Sequence, residues 1–145
     1  MSNREKRYDI LFDQVKIGPL TTKNRFFQVP HCNGMGYLRP KSLAAMRGLK
    51  AEGGWGVVCT EEVYIHSSSE NDPLVEGRLW DDIDIKALKC TTEAIHKHNS
   101  LAGIELQHGG HVSTNYFSRI PPLSASNISV GPRAPIQARA MNKSD

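Results

Sequence analysis

The chain has 145 residues, and its 18 Lys and Arg exceed its 15 Asp and Glu by a formal net charge of +3. This length is enough for one domain, and 39% apolar with 23% charged residues excludes a disordered chain. No basic run indicates a nucleic-acid surface, no segment approaches the ~18 apolar residues of a membrane span, and the first residues lack a secretory pattern. Three scattered cysteines argue against a disulfide framework. We expect a cytoplasmic protein that binds neither nucleic acid nor membrane.

The first part of the chain predicts a hairpin, a strand and a helix. Residues 15–30 contain an alternating segment, a Gly-Pro turn and strand formers that end at Pro30. Ser42 is placed to cap the following helix, which the pair Gly53-Gly54 ends. Its expected buried stripe consists of Leu43, Met46 and Leu49.

The next part predicts a parallel sheet. The apolar run at residues 57–59 has no alternation, which is typical of a strand buried on both faces. Acidic residues at 81–84 open a second helix, and residues 101–110 form a third strand that ends in two glycines. The expected inner face of the second helix is Ile85, Leu88, Thr92 and Ile95. This alternation of strands and helices predicts an α/β fold with parallel strands.

Reactive side chains follow the three predicted strands, where parallel α/β folds bind ligands. The three segments are residues 30–32, 60–62 and 105–110. Cys32 lies in a turn whose backbone amides are expected to lower its thiol pKa, which favours a nucleophile or a covalent anchor. The alternative is an inert thiol in a loop. Cys59 and Cys90 are expected to be small core residues.

The carboxylates and histidines of these segments leave alternatives open. Glu61 and Glu62 should face opposite sides of their strand, one ion-paired in the core and the other solvated. Either Glu105 or Gln107 should face the axis of the barrel that a closed parallel sheet of this kind forms. The H-x-x-H pattern at residues 108–111 lacks a third ligand, so we predict no metal site. A phosphate-binding loop and a dinucleotide fingerprint are both absent from the sequence.

Four segments carry a family resemblance: YDILFDQVKIGPLTTKNRFFQVPHCNGMG, KAEGGWGVVCTEE, RLWDD and LAGIELQHGG. Over residues 8–111 the chain resembles the N-terminal part of Old Yellow Enzyme-like NADH:flavin oxidoreductases. It matches best the branch of trimethylamine, dimethylamine and histamine dehydrogenases and dimethylglycine or N-methylproline demethylases. The resemblance implies that residues 1–145 are a truncated part of an FMN-binding (β/α)₈ TIM barrel, a fold of about 250 residues. A hairpin and about three βα units would occupy residues 8–117, and a loop residues 118–145.

The resemblance also implies a flavin site at the strand ends. Cys32 matches the cysteine that joins FMN through sulfur in the amine dehydrogenases, and Glu105 matches a glutamate of that branch where the wider family has a glutamine. His31 matches a histidine beside the flavin, and Pro30 and His31 would contact the flavin through their backbone after the first strand. Glu62 falls where the second strand meets the flavin ring, and His108 matches a histidine beside the end of the third strand. In chain order, the six cofactor-binding residues are Pro30, His31, Cys32, Glu62, Glu105 and His108.

The implied activity is oxidation of an amine C–H bond to an iminium, with FMN as acceptor. Glu62 replaces an aromatic residue of the trimethylamine enzyme, which favours a charged N-methylated amine or betaine-type amino acid over trimethylamine. A 4Fe-4S cluster and an ADP or NAD(P)H site are expected only beyond Asp145. The electron acceptor is not specified, the full-length protein could be a homo-oligomer, and we expect the isolated chain to be inactive. The alternatives are an ene-reductase of the wider family and a non-catalytic half-barrel that needs a partner chain.

Overall fold

The computed structural model describes residues 5–71, 76–129 and 136–145. A 3₁₀ helix, Lys6–Phe12, precedes the predicted hairpin of β1 (Val15–Ile17) and β2 (Leu20–Thr22), which pair antiparallel. Gly18 turns the hairpin with φ of +58°, in the left-handed region that glycine adopts without strain. The 3₁₀ helix was not predicted, because its seven residues are too few to show an apolar periodicity.

The predicted parallel α/β sheet is confirmed, with one strand at its centre. In chain order the elements are β3 (Phe27–Gln28), α1 (Pro40–Glu52), β4 (Val57–Tyr64), β5 (Gly77–Arg78), α2 (Asp82–His96) and β6 (Leu101–Gln107). β6 pairs along β4 on one side, and β3 and the unpredicted β5 pair with opposite ends of β4 on the other. All these pairings are parallel, so the carboxyl ends of the strands lie at the same edge.

The packing of α1 differs from its prediction at both its start and its buried face. The helix begins at Pro40, a residue suited to the first turn, so Ser42 is not its cap. Leu49 is 67% exposed, because the helix instead packs small residues against α2. A Cβ at Gly48 would lie 3.4 Å from Cβ of Ala94. The observed buried residues are Leu43, Ala44, Arg47, Gly48 and Ala51.

The start of α2 is confirmed, and its buried face differs in part. The Asp81 carboxylate caps the helix by accepting the amide hydrogens of Ile83 and Asp84 at 2.8 and 3.2 Å. Ile95 is fully buried as predicted, whereas Ile85 is 51% exposed. Asp84 is buried in its place, because Arg78 donates to its Oδ1 at 3.1 Å. No helix in the described part of the chain is long and apolar enough to cross a membrane.

The Arg78–Asp84 pair predicts a large stability effect. Arg78 Nε and Nη2 and the Trp80 amide all donate to the Asp84 carboxylate, and the guanidinium stacks 3.9 Å from the Tyr37 ring centre. Asp84→Ala should therefore lower the free energy of unfolding of the complete gene product by about 2–3 kcal/mol. Asp82→Ala, an exposed change in the same helical turn, should cost only about 0.5 kcal/mol. Equal urea midpoints for the two variants would contradict this assignment.

In the segment predicted as loop, residues 118–145, the described residues form one short ladder. β7 (Leu123–Ser124) and β8 (Arg139–Ala140) pair parallel over two residues each. Strands this short have no periodicity that a sequence pattern could reveal. The other described residues of the segment lie outside helices and strands, apart from an isolated bridge between Ser129 and Gln137.

Candidate functional site

The carboxyl edge of the sheet brings together predicted residues from three strands. Residues 30–32 follow β3, Glu62 lies near the end of β4, and Glu105 lies near the end of β6. Glu62 and Glu105 are direct partners in the β4–β6 register, just past an irregularity that starts at Cys59. The Glu62 carboxylate also lies near enough to Cys32 for its negative charge to raise the pKa of the thiol. A thiol and two carboxylates from neighbouring strands therefore lie at one edge.

Arg47 in α1 forms hydrogen bonds with the chain just before Cys32. It is fully buried in α1, where Nη1 donates to Oε1 of Gln28 at 3.1 Å and Nη2 donates to the His31 carbonyl at 2.5 Å. Desolvation lowers the pKa of Arg47 from its usual value. The His31 side chain remains exposed above this contact, and Pro30 is partly buried. Nothing in the sequence singled out Arg47, because its role depends on contacts with residues from another element.

Cys32 is exposed and free, but its pKa does not follow the prediction. Desolvation and the negative charges of Glu76, Glu62 and Glu61 raise the pKa of Cys32 to about 11, against the smaller opposing effect of the Glu62 amide. The expected lowering is wrong, because the amides of residues 33–36 point at carboxylates and not at the sulfur. Cys32 is therefore a protonated thiol at neutral pH.

The other two cysteines lie away from this edge. Cys59 is buried, as predicted. Cys90 is exposed on the outer face of α2, where its sulfur donates to the Lys86 carbonyl at 3.3 Å. The prediction of a core cysteine is therefore wrong for Cys90.

Glu61 and Glu62 differ in burial as predicted, but not in their partners. Glu61 is fully buried, and none of the ion pairs among the described residues involves it. Backbone amides hold its charge instead. Glu62 is partly exposed, and Tyr64 Oη donates to its Oε1 at 2.9 Å. The prediction of an ion pair in the core is therefore wrong.

His108 follows β6 at this edge, where it contacts Ser68, which in turn contacts His66. Nδ1 of His108 accepts the Gly110 amide at 3.0 Å, so the neutral ring carries its proton on Nε2, 3.2 Å from Ser68 Oγ. Ser68 Oγ is also 2.8 Å from Nδ1 of His66. Burial and the neighbouring His66 lower the pKa of His108. His111 lies apart on an exposed 3₁₀ turn, and no described group of three His, Cys, Asp or Glu could hold a metal.

Comparison with known proteins identifies the family. Residues 10–145 match the NADH:flavin oxidoreductase / NADH oxidase family. The chain belongs to this family. Dimethylamine dehydrogenase of Hyphomicrobium sp. (strain x) is 43% identical over 129 residues, which are 89% of this chain and 17% of that protein. NADPH dehydrogenase of Listeria welshimeri serovar 6b is 31% identical over 105 residues, 69% of this chain and 30% of that protein. The chain thus spans less than a third of these relatives.

Solved structures show the same similarity. Histamine dehydrogenase from Rhizobium sp. 4-9 has a TM-score of 0.90 and 48% identity, covering 96% of this chain and 20% of that one. The 6-hydroxypseudooxynicotine amine oxidase from Pseudomonas geniculata N1 has a TM-score of 0.92 and 43% identity, covering 98% and 21%. An old yellow enzyme homologue from Zymomonas mobilis, 23% identical with a TM-score of 0.75, covers 92% and 40% and shares the fold. The chain therefore has the fold of the N-terminal part of these TIM-barrel enzymes.

The family is one of FMN oxidoreductases, and the residues at the carboxyl edge fit that cofactor. FMN presents a flat ring with one apolar edge and one edge of hydrogen-bonding groups. The exposed Cys32 thiol is free to meet a ring carbon, and the exposed Glu105 carboxylate is an acceptor for a ring N–H group. Val29, 63% exposed just before the Pro30 turn, adds an apolar contact at the same edge.

Proposed function

We propose that this chain supplies part of the active site of an FMN-dependent amine dehydrogenase that oxidises an N-methylated amine, with the flavin bound covalently through Cys32. The observation that carries this proposal is the position of Cys32, which follows β3 at the carboxyl edge where Glu62 and Glu105 pair in the β4–β6 register. Relatives named for amine oxidation are 43–48% identical, whereas the NADPH dehydrogenase is 31% identical.

Each residue of the edge has one task in this proposal. When bound, FMN supplies the acceptor for the two electrons and the hydrogen of an amine C–H bond, which leaves an iminium for water to hydrolyse. Cys32 anchors the ring, and Pro30 and His31 contact it through their backbone. Glu105 accepts a hydrogen bond from the polar edge of the ring. Glu62, on β4 beside Glu105, attracts a protonated amine. The neutral His108, which follows β6, contacts the ring next to the end of that strand.

The resemblance to amine dehydrogenases extends this proposal beyond the 145 residues. We propose that further parts of the complete gene product hold a 4Fe-4S cluster and an ADP or NAD(P)H site, and that this product is a cytoplasmic homo-oligomer. On this proposal, the isolated chain is inactive, because residues of further strands complete the flavin site.

Anaerobic mixing of the complete gene product with candidate substrates tests the reaction class. A secondary or tertiary N-methylated amine should bleach the flavin absorbance, whereas an activated alkene should not reoxidise the reduced protein. Reduction by NAD(P)H and reoxidation by the alkene, without any response to amines, would support the ene-reductase alternative. A protein that needs a separate chain before it binds flavin would support the half-barrel alternative.

Glu62→Gln tests the binding of a charged amine. Removing the carboxylate should raise KM for an N-methylated ammonium substrate about tenfold, because a charge-assisted contact of about 1.4 kcal/mol is lost. The maximal rate should change less, since Glu62 binds the substrate in both ground and transition states. Glu52→Gln, an exposed change at the end of α1, is the control. A KM equal to that of the control would contradict this role.

A further inference from the structure

Two buried glutamates enclose the turn that follows Cys32. Glu61 lies in β4 and is fully buried, and Glu76 lies just before β5 with 6% of its surface exposed. Both carboxyl groups face the backbone of residues 33–36 from the protein interior. Residue types and spacing did not point to this pair, since 15 positions separate its members in the sequence.

Four successive backbone amides donate to these two side chains. Glu61 accepts the amides of Asn33, Met35 and Gly36 at 3.1, 3.2 and 2.9 Å. Glu76 accepts those of Asn33 and Gly34 at 3.2 and 2.8 Å. Converging amides of this kind form an anion-binding nest, and here the anion belongs to the chain itself.

The turn has little freedom to move away from the carboxyl groups. A Cβ at Gly36 would lie 2.8 Å from Glu61 Oε2 and 2.9 Å from Cα of Gly77, so the backbone approaches both closely. Gly34 has φ of +69°, in the left-handed region, and its amide makes the 2.8 Å contact with Glu76. Cys32 directly precedes these held residues, so its position depends on them.

The two carboxyl groups lie close together, because Oε1 of Glu61 and Oε2 of Glu76 accept the same amide of Asn33 at 3.1 and 3.2 Å. A proton shared between them would relieve the repulsion of their charges. Burial and the charge of Glu61 raise the pKa of Glu76 to about 7. Among the described residues, the other ionisable groups that face this region are the Arg47 guanidinium from α1, the Glu62 carboxylate from β4 and the Cys32 thiol. Above neutral pH, the pair therefore carries a second negative charge, and the described part of the chain places no second cation beside it.

We propose that Glu61 and Glu76 are positioning residues for Cys32: with one shared proton they hold the turn at residues 33–36, and loss of that proton releases it. The link to flavin attachment rests on the proposed function, because it takes Cys32 as the flavin-bearing residue. The positioning of the turn itself does not depend on that function.

Amide hydrogen exchange of the peptide that contains residues 33–36 tests this proposal in the complete, cofactor-loaded gene product. Protection factors correct for the intrinsic pH dependence of exchange. In the wild type, protection of these amides should fall about tenfold between pH 6 and pH 8. Glu76→Gln should be equally protected at both pH values, because its carboxamide keeps an acceptor oxygen and donates an N–H to Glu61 permanently. Glu52→Gln should behave as the wild type.

The outcomes are distinguishable. Wild-type protection that does not change with pH, or that changes equally in Glu76→Gln, would overturn the proposal. If Glu76→Gln does not fold, the pH dependence of protection in the wild type and in Glu52→Gln still decides. The fraction of covalently bound flavin is measured in the same samples. If the wild type lacks attached flavin but shows the pH-dependent protection, the proposed function fails and the positioning role stands.

Discussion

Cys32→Ala should abolish covalent attachment of the flavin in the complete gene product. Alanine removes the one thiol at the carboxyl edge of the described sheet, while the other two cysteines lie in the core and on the outer face of α2. The variant should still bind FMN reversibly, because Glu105 and the backbone contacts remain. After acid precipitation, all flavin of the variant should appear in the supernatant, and that of the wild type should stay in the pellet.

Cys90→Ala is the matched control for this experiment, because it also removes an exposed thiol. It should retain flavin in the pellet as the wild type does. Flavin that stays with precipitated Cys32→Ala protein would contradict the proposed attachment. The raised pKa of Cys32, about 11, adds an expectation. Attachment replaces the S–H bond of Cys32 and a C–H bond of the ring by a C–S bond, and the two electrons that this releases pass through the flavin to dissolved oxygen. The thiolate fraction grows with pH, so attachment by apoprotein mixed with FMN in air should become faster as pH rises, until loss of the Glu76 proton loosens the turn.

Arg47→Ala should have the largest effect on stability. The substitution leaves Oε1 of Gln28 and the carbonyl of His31 without these donors, and it opens a cavity at a fully buried position. We expect the free energy of unfolding to fall by about 3–5 kcal/mol, the range for removing one partner of a buried charged network. Urea denaturation of the complete gene product measures the effect.

Arg39→Ala is the control for this prediction, because it removes an exposed arginine immediately before the same helix. Its side chain makes no capping hydrogen bond, so its effect should stay within about 0.5 kcal/mol. If Arg47→Ala were as stable as Arg39→Ala, the guanidinium would not hold the chain before Cys32.

Buried Glu76 makes the free energy of unfolding depend on pH. Its pKa is raised from 4.5 to about 7 in the folded chain, so the folded state binds more protons than the unfolded state between these values. Stability should therefore be highest below pH 4.5 for this group and fall until about pH 7. Glu76→Gln should remove this contribution, which urea titrations at several pH values would show.

The sequence was sufficient where local chemistry determines structure. The apolar run at residues 57–59 lies in β4, where every residue except Glu62 is buried, and Asp81 caps α2 through its own side chain. It was insufficient for α1, because Gly48 and its small neighbours allow a close helix contact that large apolar residues would prevent. Periodicity gives weight to large side chains, so it predicted a stripe that included the exposed Leu49.

At the candidate site too, the sequence predicted what the order of elements determines and missed what tertiary packing determines. Parallel strands place their carboxyl ends at one edge, so the positions of Cys32, Glu62 and Glu105 followed from the order of elements. Glu76 was missed because its partner Asn33 lies 43 positions earlier in the chain. Arg47 was missed for the same reason, since it contacts Gln28 from 19 positions away. Such partnerships depend on tertiary packing and leave no local pattern.

Tryptic peptide mapping of the denatured wild-type gene product tests the central claim most directly. The three cysteines lie on separate tryptic peptides, residues 26–41, 51–78 and 90–97. The proposed function predicts the added mass of FMN on the peptide of residues 26–41, with fragment ions that place it on Cys32. An unmodified 26–41 peptide from flavin-containing protein, or flavin on either of the other two, would contradict the claim that Cys32 anchors the cofactor.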